Sequence, residues 1–181
     1  MASALIQERG TSSGNQMRME RLNEDAGQTF LSGTPLQINP LTAALKAWDG
    51  VILANGIAGI SKTFGANLAV AGTPQQITFG VVQNEPLAAN ILRPYFNDGK
   101  TDLVLAIVDT LFYGQVGPAQ TTAATDVSKQ YGMTKDADGH WYVDKTKTGA
   151  AAVVQVVGLD YWDTQRGVLF TFLPAASGLS S

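Results

Sequence analysis

Thr34-Pro35-Leu36-Gln37-Ile38-Asn39-Pro40-Leu41-Thr42-Ala43-Ala44-Leu45-Lys46-Ala47-Trp48-Asp49-Gly50-Val51-Ile52-Leu53-Ala54-Asn55-Gly56-Ile57-Ala58-Gly59-Ile60 is the stretch that decides the fold class. An apolar segment at 34–38 runs into the turn pair Asn39-Pro40. A second segment at 45–48 ends in Asp49-Gly50, a dipeptide suited to tight turns. The small-residue run Gly56-Ile57-Ala58-Gly59-Ile60 follows. Strand, turn, strand and small-residue strand is the predicted order, with Trp48 as its one large aromatic anchor.

Working outward, strands are expected at 51–54, 57–61, 68–71 and 76–82, separated by Asn55-Gly56, Gly72-Thr73-Pro74 and Asn84-Glu85-Pro86. Such close spacing indicates an all-β module and not βαβ units. The run Leu103-Val104-Leu105-Ala106-Ile107-Val108 reads as a strand buried on both faces, and 112–116 extends it or forms the next one. Thr125 to Tyr131, followed by Gly132, predicts one short helix with Thr125 as its cap. Asp138-Gly139 predicts a hairpin turn between 133–135 and the strand carrying Trp141. Strands at 152–157 and 167–173 complete the chain, joined by a loop through Asp160 and Asp163.

The 28 N-terminal residues are polar and aperiodic; at 16–25 the apolar positions make a poor helical stripe. They are expected to form an extended arm, with a disordered tail of no role as the alternative. The resulting organisation is an arm at 1–28, a β-tulip-like module at 29–98, and a C-terminal β-rich module at 99–181 packed on the first. The fold class is mainly β, a small β-barrel or β-tulip with a C-terminal hairpin region carrying the one short helix.

Composition narrows the function classes. In 181 residues, 45% are hydrophobic and only 15% charged, well below the usual ~25%. So little charge suggests that much of the surface meets other protein, as in a homo-oligomer or an assembly component; a compact monomer with a Ser/Thr/Gln-rich surface is the alternative. Net charge is −3 and no basic stripe occurs, so no direct nucleic-acid partner is expected. There is no cysteine, which excludes disulfides and thiolate metal sites. Neither a signal-peptide core nor an apolar run of about 20 residues is present, so no membrane partner is expected.

Chemical motifs fail on inspection. Asn97-Asp98-Gly99-Lys100-Thr101 ends like a phosphate-binding loop, but Pro94 stands where the loop needs its first glycine. Asp136-Ala137-Asp138-Gly139 lacks the third ligand of a calcium loop, and Lys145 replaces its final Glu. His140 is the single histidine, so one chain holds neither a catalytic triad nor a three-histidine zinc site. Asp102, Asp109, Asp160 and Asp163 read as strand ends and turn caps. No catalytic, cofactor-binding or metal residue is assigned, and the chain is not expected to be an enzyme.

Three tryptophans carry the anchoring potential. Trp48 and Trp141 are expected in the core. Tyr161 and Trp162, framed by Asp160 and Asp163, are expected at an exposed contact with a partner protein or a neighbouring subunit.

The order Thr-Pro-Leu (34–36), Leu-x-Ala-Trp-Asp-Gly (45–50) and Gly-Ile-x-Gly-Ile (56–60) resembles the core of the lambda-type head decoration proteins of tailed phages. The segment Asp126 to Asp160 is similar to a module common in phage virion structural proteins. The resemblance implies a capsid decoration or cement protein of the virion. It would be made in the host cytoplasm, sit as a homotrimer on the outer capsid surface, and have the phage major capsid protein as partner. The N-terminal arm would order on the shell by strand addition. The chain departs from the family pattern in its length beyond Asp98 and in an apparent insertion at 64–76. A carbohydrate- or receptor-binding head or tail fibre module is the alternative, with Tyr161 and Trp162 stacking on sugar rings.

Overall fold

The structure is a computed structural model; it describes residues 6–11, 17–51, 56–62, 100–107 and 109–178, with the backbone alone described for 7–11. Among the described residues there are eleven strands: β1 Gln7–Thr11, β2 Met19–Asn23, β3 Pro35–Ile38, β4 Leu45–Ala47, β5 Ile57–Ser61, β6 Lys100–Leu105, β7 Thr110–Gln115, β8 Gln130–Lys135, β9 Trp141–Asp144, β10 Val154–Leu159 and β11 Gly167–Phe172. The chain is mainly β, as the turn spacing predicts. The strands expected at 68–71 and 76–82, and all but Val51 of that at 51–54, lie outside the described residues.

Two antiparallel sheets form, in the orders β1-β7-β11-β10-β8-β9 and β2-β6-β5-β3-β4. Both curl. Val116, just past β7, forms a parallel bridge to Val143 of β9, and Glu24, just past β2, forms one to Leu45 of β4. Each sheet is thus drawn back toward its own beginning, which protects edges that would otherwise present unpaired backbone groups.

β5 and β6 are central to the packing. All five residues of β5 are buried. Successive side chains point to opposite faces of a strand. A β-bulge against β3, where the pairing skips from Leu36–Gly59 to Gln37–Ile57, interrupts that alternation in β5: Ile57 and Ile60 both enter the larger core with Trp48, Val104, Phe112, Trp141 and Phe170, while Ala58 enters a smaller core with Phe30, Leu36, Leu45, Leu103 and Leu105. Burial on both faces explains the small residues of this strand. A Cβ on Gly59 would overlap the carbonyl oxygen of Val104, and one on Gly56 would lie 2.5 Å from the carbonyl oxygen of Ala176. Glycine is what lets these backbones approach.

Three expectations need correction. The polar N-terminal segment is extended, but its described strands pair within the chain. β1 pairs with β7 and β2 with β6. Arg21 of β2 reaches Asp102 of β6 at 3.2 Å. β2 is a half-exposed edge strand rich in charge, a composition suited to sheet edges and misleading as a sign of a free arm. The boundary at 98 also fails, because β6 lies between β2 and β5 in the first module's sheet. In addition, Ser177 bridges Ile57, and one core contains residues from both proposed modules.

The helix expected at 125–131 is reduced to a three-residue 3-10 turn, Ala124–Asp126. Ser128 has φ +72°, and Gln130 already begins β8. A seven-residue helix forms too few internal hydrogen bonds to offset its nucleation cost. Here Asp126 is held by other partners: its side chain accepts hydrogen bonds from the Ala123 N–H (2.8 Å), the Tyr131 hydroxyl (2.7 Å) and Lys145 Nζ (2.7 Å). Among the described residues, no helix is long and apolar enough to cross a membrane.

Candidate functional site

The hairpin β10–β11 turns through residues 160–166, and this turn carries the most exposed aromatic pair among the described residues. Tyr161 is 83% and Trp162 87% exposed. Their rings meet edge to face, with centroids 5.5 Å apart and an interplanar angle of 89°. Exposure is where the two flanking aspartates point, since an aromatic pair destined for the core would not be framed by carboxylates.

The backbone beneath the pair is closely held. Asp160 N–H donates to Gly167 O (3.1 Å), and Gly167 N–H donates to Asp163 O (2.8 Å). A Cβ on Gly167 would lie 2.6 Å from Asp160 Cβ, so closing this turn requires glycine. Asp160 Oδ1 accepts the Trp162 N–H at 3.3 Å, and Asp163 Oδ1 accepts the Arg166 N–H at 3.0 Å. These are the turn-capping roles expected of the two aspartates.

Longer-range clamps fix the turn to the sheet. Gln115 Nε2 of β7 donates to Asp163 Oδ2 at 2.8 Å. The Arg166 guanidinium donates to Val116 O at 2.8 Å and lies over the Tyr142 ring, 5.7 Å from its centroid. Thr122 holds the outer limb through Thr164 O (3.0 Å) and Gln165 O (2.8 Å). Burial pushes the Asp163 carboxyl up, but donation from the Arg166 N–H, Gln115 and the Gln165 N–H outweighs it and holds the group below its ordinary value. Gln115, Thr122 and Arg166 are roles that sequence reasoning missed. They depend on contacts distant along the chain, and no local pattern marks them.

Trp48 and Trp141 lie in the core instead, 3% and 4% exposed. Trp48 Nε1 donates to Val51 O at 3.0 Å, whereas Trp141 Nε1 is buried without a partner among the described residues. The four singled-out aromatics therefore divide into a buried pair and an exposed pair.

A second exposed apolar group sits at the β3–β4 turn, where Leu41 is 93% exposed. This turn is also held from below. Asp25 accepts from Asn39 Nδ2 (2.5 Å) and Thr42 Oγ1 (2.6 Å), and the donations from Thr42 and Asn39 keep its carboxyl below the ordinary value.

Asp136, Asp138 and His140 bring ligand-type atoms within 4.8 Å of one another. The arrangement is that of a capped hairpin turn. Asp136 Oδ1 accepts the N–H groups of Asp138 (3.0 Å) and His140 (2.9 Å), and Oδ2 accepts the Tyr142 hydroxyl (2.9 Å). Gly139, at φ +90°, supplies the left-handed residue that the turn needs. Asp136 is thus committed to the hairpin. No family model, curated protein or solved structure matches this chain.

Proposed function

We propose that this chain is a capsid decoration protein of a tailed phage, and that its β10–β11 turn contacts the shell. The observation that carries the contact assignment is the pairing of rigidity with exposure: Tyr161 and Trp162 stand in solvent on a turn fixed by Asp160, Asp163, Gln115 and Arg166. An aromatic held in advance loses little conformational freedom on binding, which is the property of an interface anchor. The low charged fraction of the chain supports a role within an assembly. The resemblance of residues 34–60 to lambda-type decoration proteins supplies the kind of assembly.

In this reading the protein works by binding, with no turnover. Trimers would sit across neighbouring capsomers, and many modest contacts would act together as a clamp. β1 and β2 are already paired within the chain, so the family's strand-addition arm would be limited to residues outside those strands.

Quantitative mass spectrometry of purified virions from the encoding phage tests the proposal. The expected result is a copy number comparable to that of the major capsid protein, together with a trimeric native mass. A few copies per particle, with binding to glycans, would sink it in favour of a fibre module.

A further inference from the structure

We propose that Tyr161, Trp162 and the Asp160 carboxylate form a receptor for an arginine guanidinium on the partner's surface. This assignment rests on the reading of the turn as a shell contact and names the chemistry that the contact recognises.

The charges of the turn are arranged unequally. Its cation, Arg166, is directed inward, with its guanidinium on Val116 O and over Tyr142. Asp163 is occupied as well, by the Arg166 N–H and Gln115. Asp160 is different: Oδ1 accepts the Trp162 N–H at 3.3 Å, and Oδ2 has no hydrogen-bond or ion-pair partner among the described residues. Asp160 is half-buried beside two aromatics that are 83% and 87% exposed. The outward surface therefore offers π faces and one open carboxylate oxygen, with no cation of its own turn to neutralise it.

A cation is the complement of such a surface. The faces of Tyr and Trp attract positive charge through the ring quadrupole. Guanidinium fits better than ammonium, because it is flat, weakly hydrated, and able to stack on a ring while donating to a carboxylate. A sugar fits less well. The two rings stand at 89°, so they present no continuous flat platform, and a single open carboxylate oxygen offers few hydroxyl partners. A second copy of the same turn would place Asp160 against Asp160, in a chain of net charge −3.

The test is a titration of the full chain followed by the tryptophan indole N–H signals in NMR, with Trp162 assigned through Trp162→Phe. The probe is a blocked Gly-Arg-Gly peptide, compared with its neutral citrulline counterpart and with methyl glucoside. The arginine peptide is expected to shift the Trp162 signal and leave those of Trp48 and Trp141 in place. Citrulline should have little effect, and Asp160→Asn should weaken the response by up to about fivefold, the scale of an exposed ion pair.

Equal responses to arginine and citrulline, or no response to arginine, overturn the assignment. A larger response to methyl glucoside assigns a sugar instead, and a shift on concentrating the protein alone assigns a second copy. Binding to the phage's own particles separates this idea from the one beneath it. If Trp162→Ala loses binding while Asp160→Asn binds normally, the turn remains the contact and the arginine receptor falls. If both folded variants bind normally, the contact itself is elsewhere.

Discussion

Trp48, at the end of β4, stacks on Trp141 of β9 with ring centroids 4.9 Å apart and an interplanar angle of 28°. The two residues belong to different sheets, so the contact joins the curled N-terminal sheet to the C-terminal hairpin. Trp48→Ala is expected to cost about 3–5 kcal/mol, a large part of a typical total stability of ~5–15 kcal/mol. Trp141→Ala should cost a similar amount. Chemical denaturation of the two single variants and the double variant checks the pair. A coupling energy of about 0.5–1.5 kcal/mol is expected for stacked aromatics, and simple additivity would count against a shared anchor.

Gly59 tests why β5 is built of small residues. A Cβ there would strike the Val104 carbonyl oxygen and lie 2.8 Å from Leu103 Cδ1. Leu103 can rotate away, but the nearer clash is with the backbone of Val104, which no side-chain rotation relieves. Gly59→Ala should cost about 3 kcal/mol, the upper part of the overpacking range. Gly158→Ala in β10 is the control, since its nearest neighbour would be Leu169 Cδ1 at an ordinary 3.6 Å. Melting temperatures of the two variants should differ widely; equal values would mean that the β5–β6 approach is not tight.

The N-terminal strands give a third prediction. Deleting residues 1–23 removes β1 and β2, uncovers the paired edges of β7 and β6, and removes the Arg21 partner of Asp102. The truncated chain should melt at a clearly lower temperature and associate in solution, as uncovered strand edges tend to do. Circular dichroism and sedimentation check this. An unchanged melting curve would return the segment to the role of a passive arm.

Acid and alkali should both act on the cluster around Asp126. Burial alone would raise the Asp126 carboxyl, but hydrogen bonds from Lys145, Tyr131 and the Ala123 N–H outweigh it and lower the group below its ordinary value. Tyr131 is pushed up to about 12, by burial and then by its bond to Asp126. A depressed carboxylate stabilises the fold above its unfolded-state value, and that contribution is lost as pH falls through the folded value. A raised tyrosine stabilises the fold below about 10, and the contribution is lost as pH rises toward about 12. Stability curves of the wild type should therefore fall below about pH 4 and again between about pH 10 and 12. Asp126→Asn should lower stability at neutral pH and flatten the acid fall. A variant that retains the full acid fall would show that other carboxylates are responsible.

Legibility in the sequence followed the range of the interactions. β3, β4, β5 and the β8–β9 hairpin were readable because Asn39-Pro40, Asp49-Gly50 and Asp138-Gly139 mark their turns locally. β10 and β11 were readable because buried Val and Phe alternate through them. β2 was not, because edge strands keep charged residues such as Glu20 and Arg21 facing water, and such a segment looks like a tail. The lost helix at 125–131 has the same lesson in reverse. Its capping pattern was local, but Thr125 lies inside the 3-10 turn, Gly132 lies inside β8, and Asp126 is claimed by Tyr131 of β8 and by Lys145 beyond β9. At the candidate site, the aromatic pair and its flanking aspartates were visible in sequence. The clamps from Gln115 and Arg166 that make the turn rigid were not, since only folding brings β7 beside it.

The last prediction separates core from contact surface. Trp162 is 87% exposed and Trp48 3%. Trp162→Ala removes little buried area beyond its edge contact with Tyr161, and leaves the hydrogen bonds of Asp160, Asp163 and Arg166 intact, because its own bond to Asp160 runs through the backbone N–H. Its stability should stay within about 0.5 kcal/mol of wild type, as for other surface substitutions. If the chain decorates a phage shell as proposed, binding to purified capsid particles should nevertheless fall, and more steeply when fewer copies are bound, because neighbouring copies can no longer share the load. Trp48→Ala should show the opposite: a large loss of stability, with particle binding retained by whatever fraction remains folded. Co-sedimentation with particles, run beside thermal melts of the same two samples, reads both properties. If Trp162→Ala melts early while Trp48→Ala does not, the exposed and buried roles are exchanged. The β10–β11 turn would then lose its place as the contact surface.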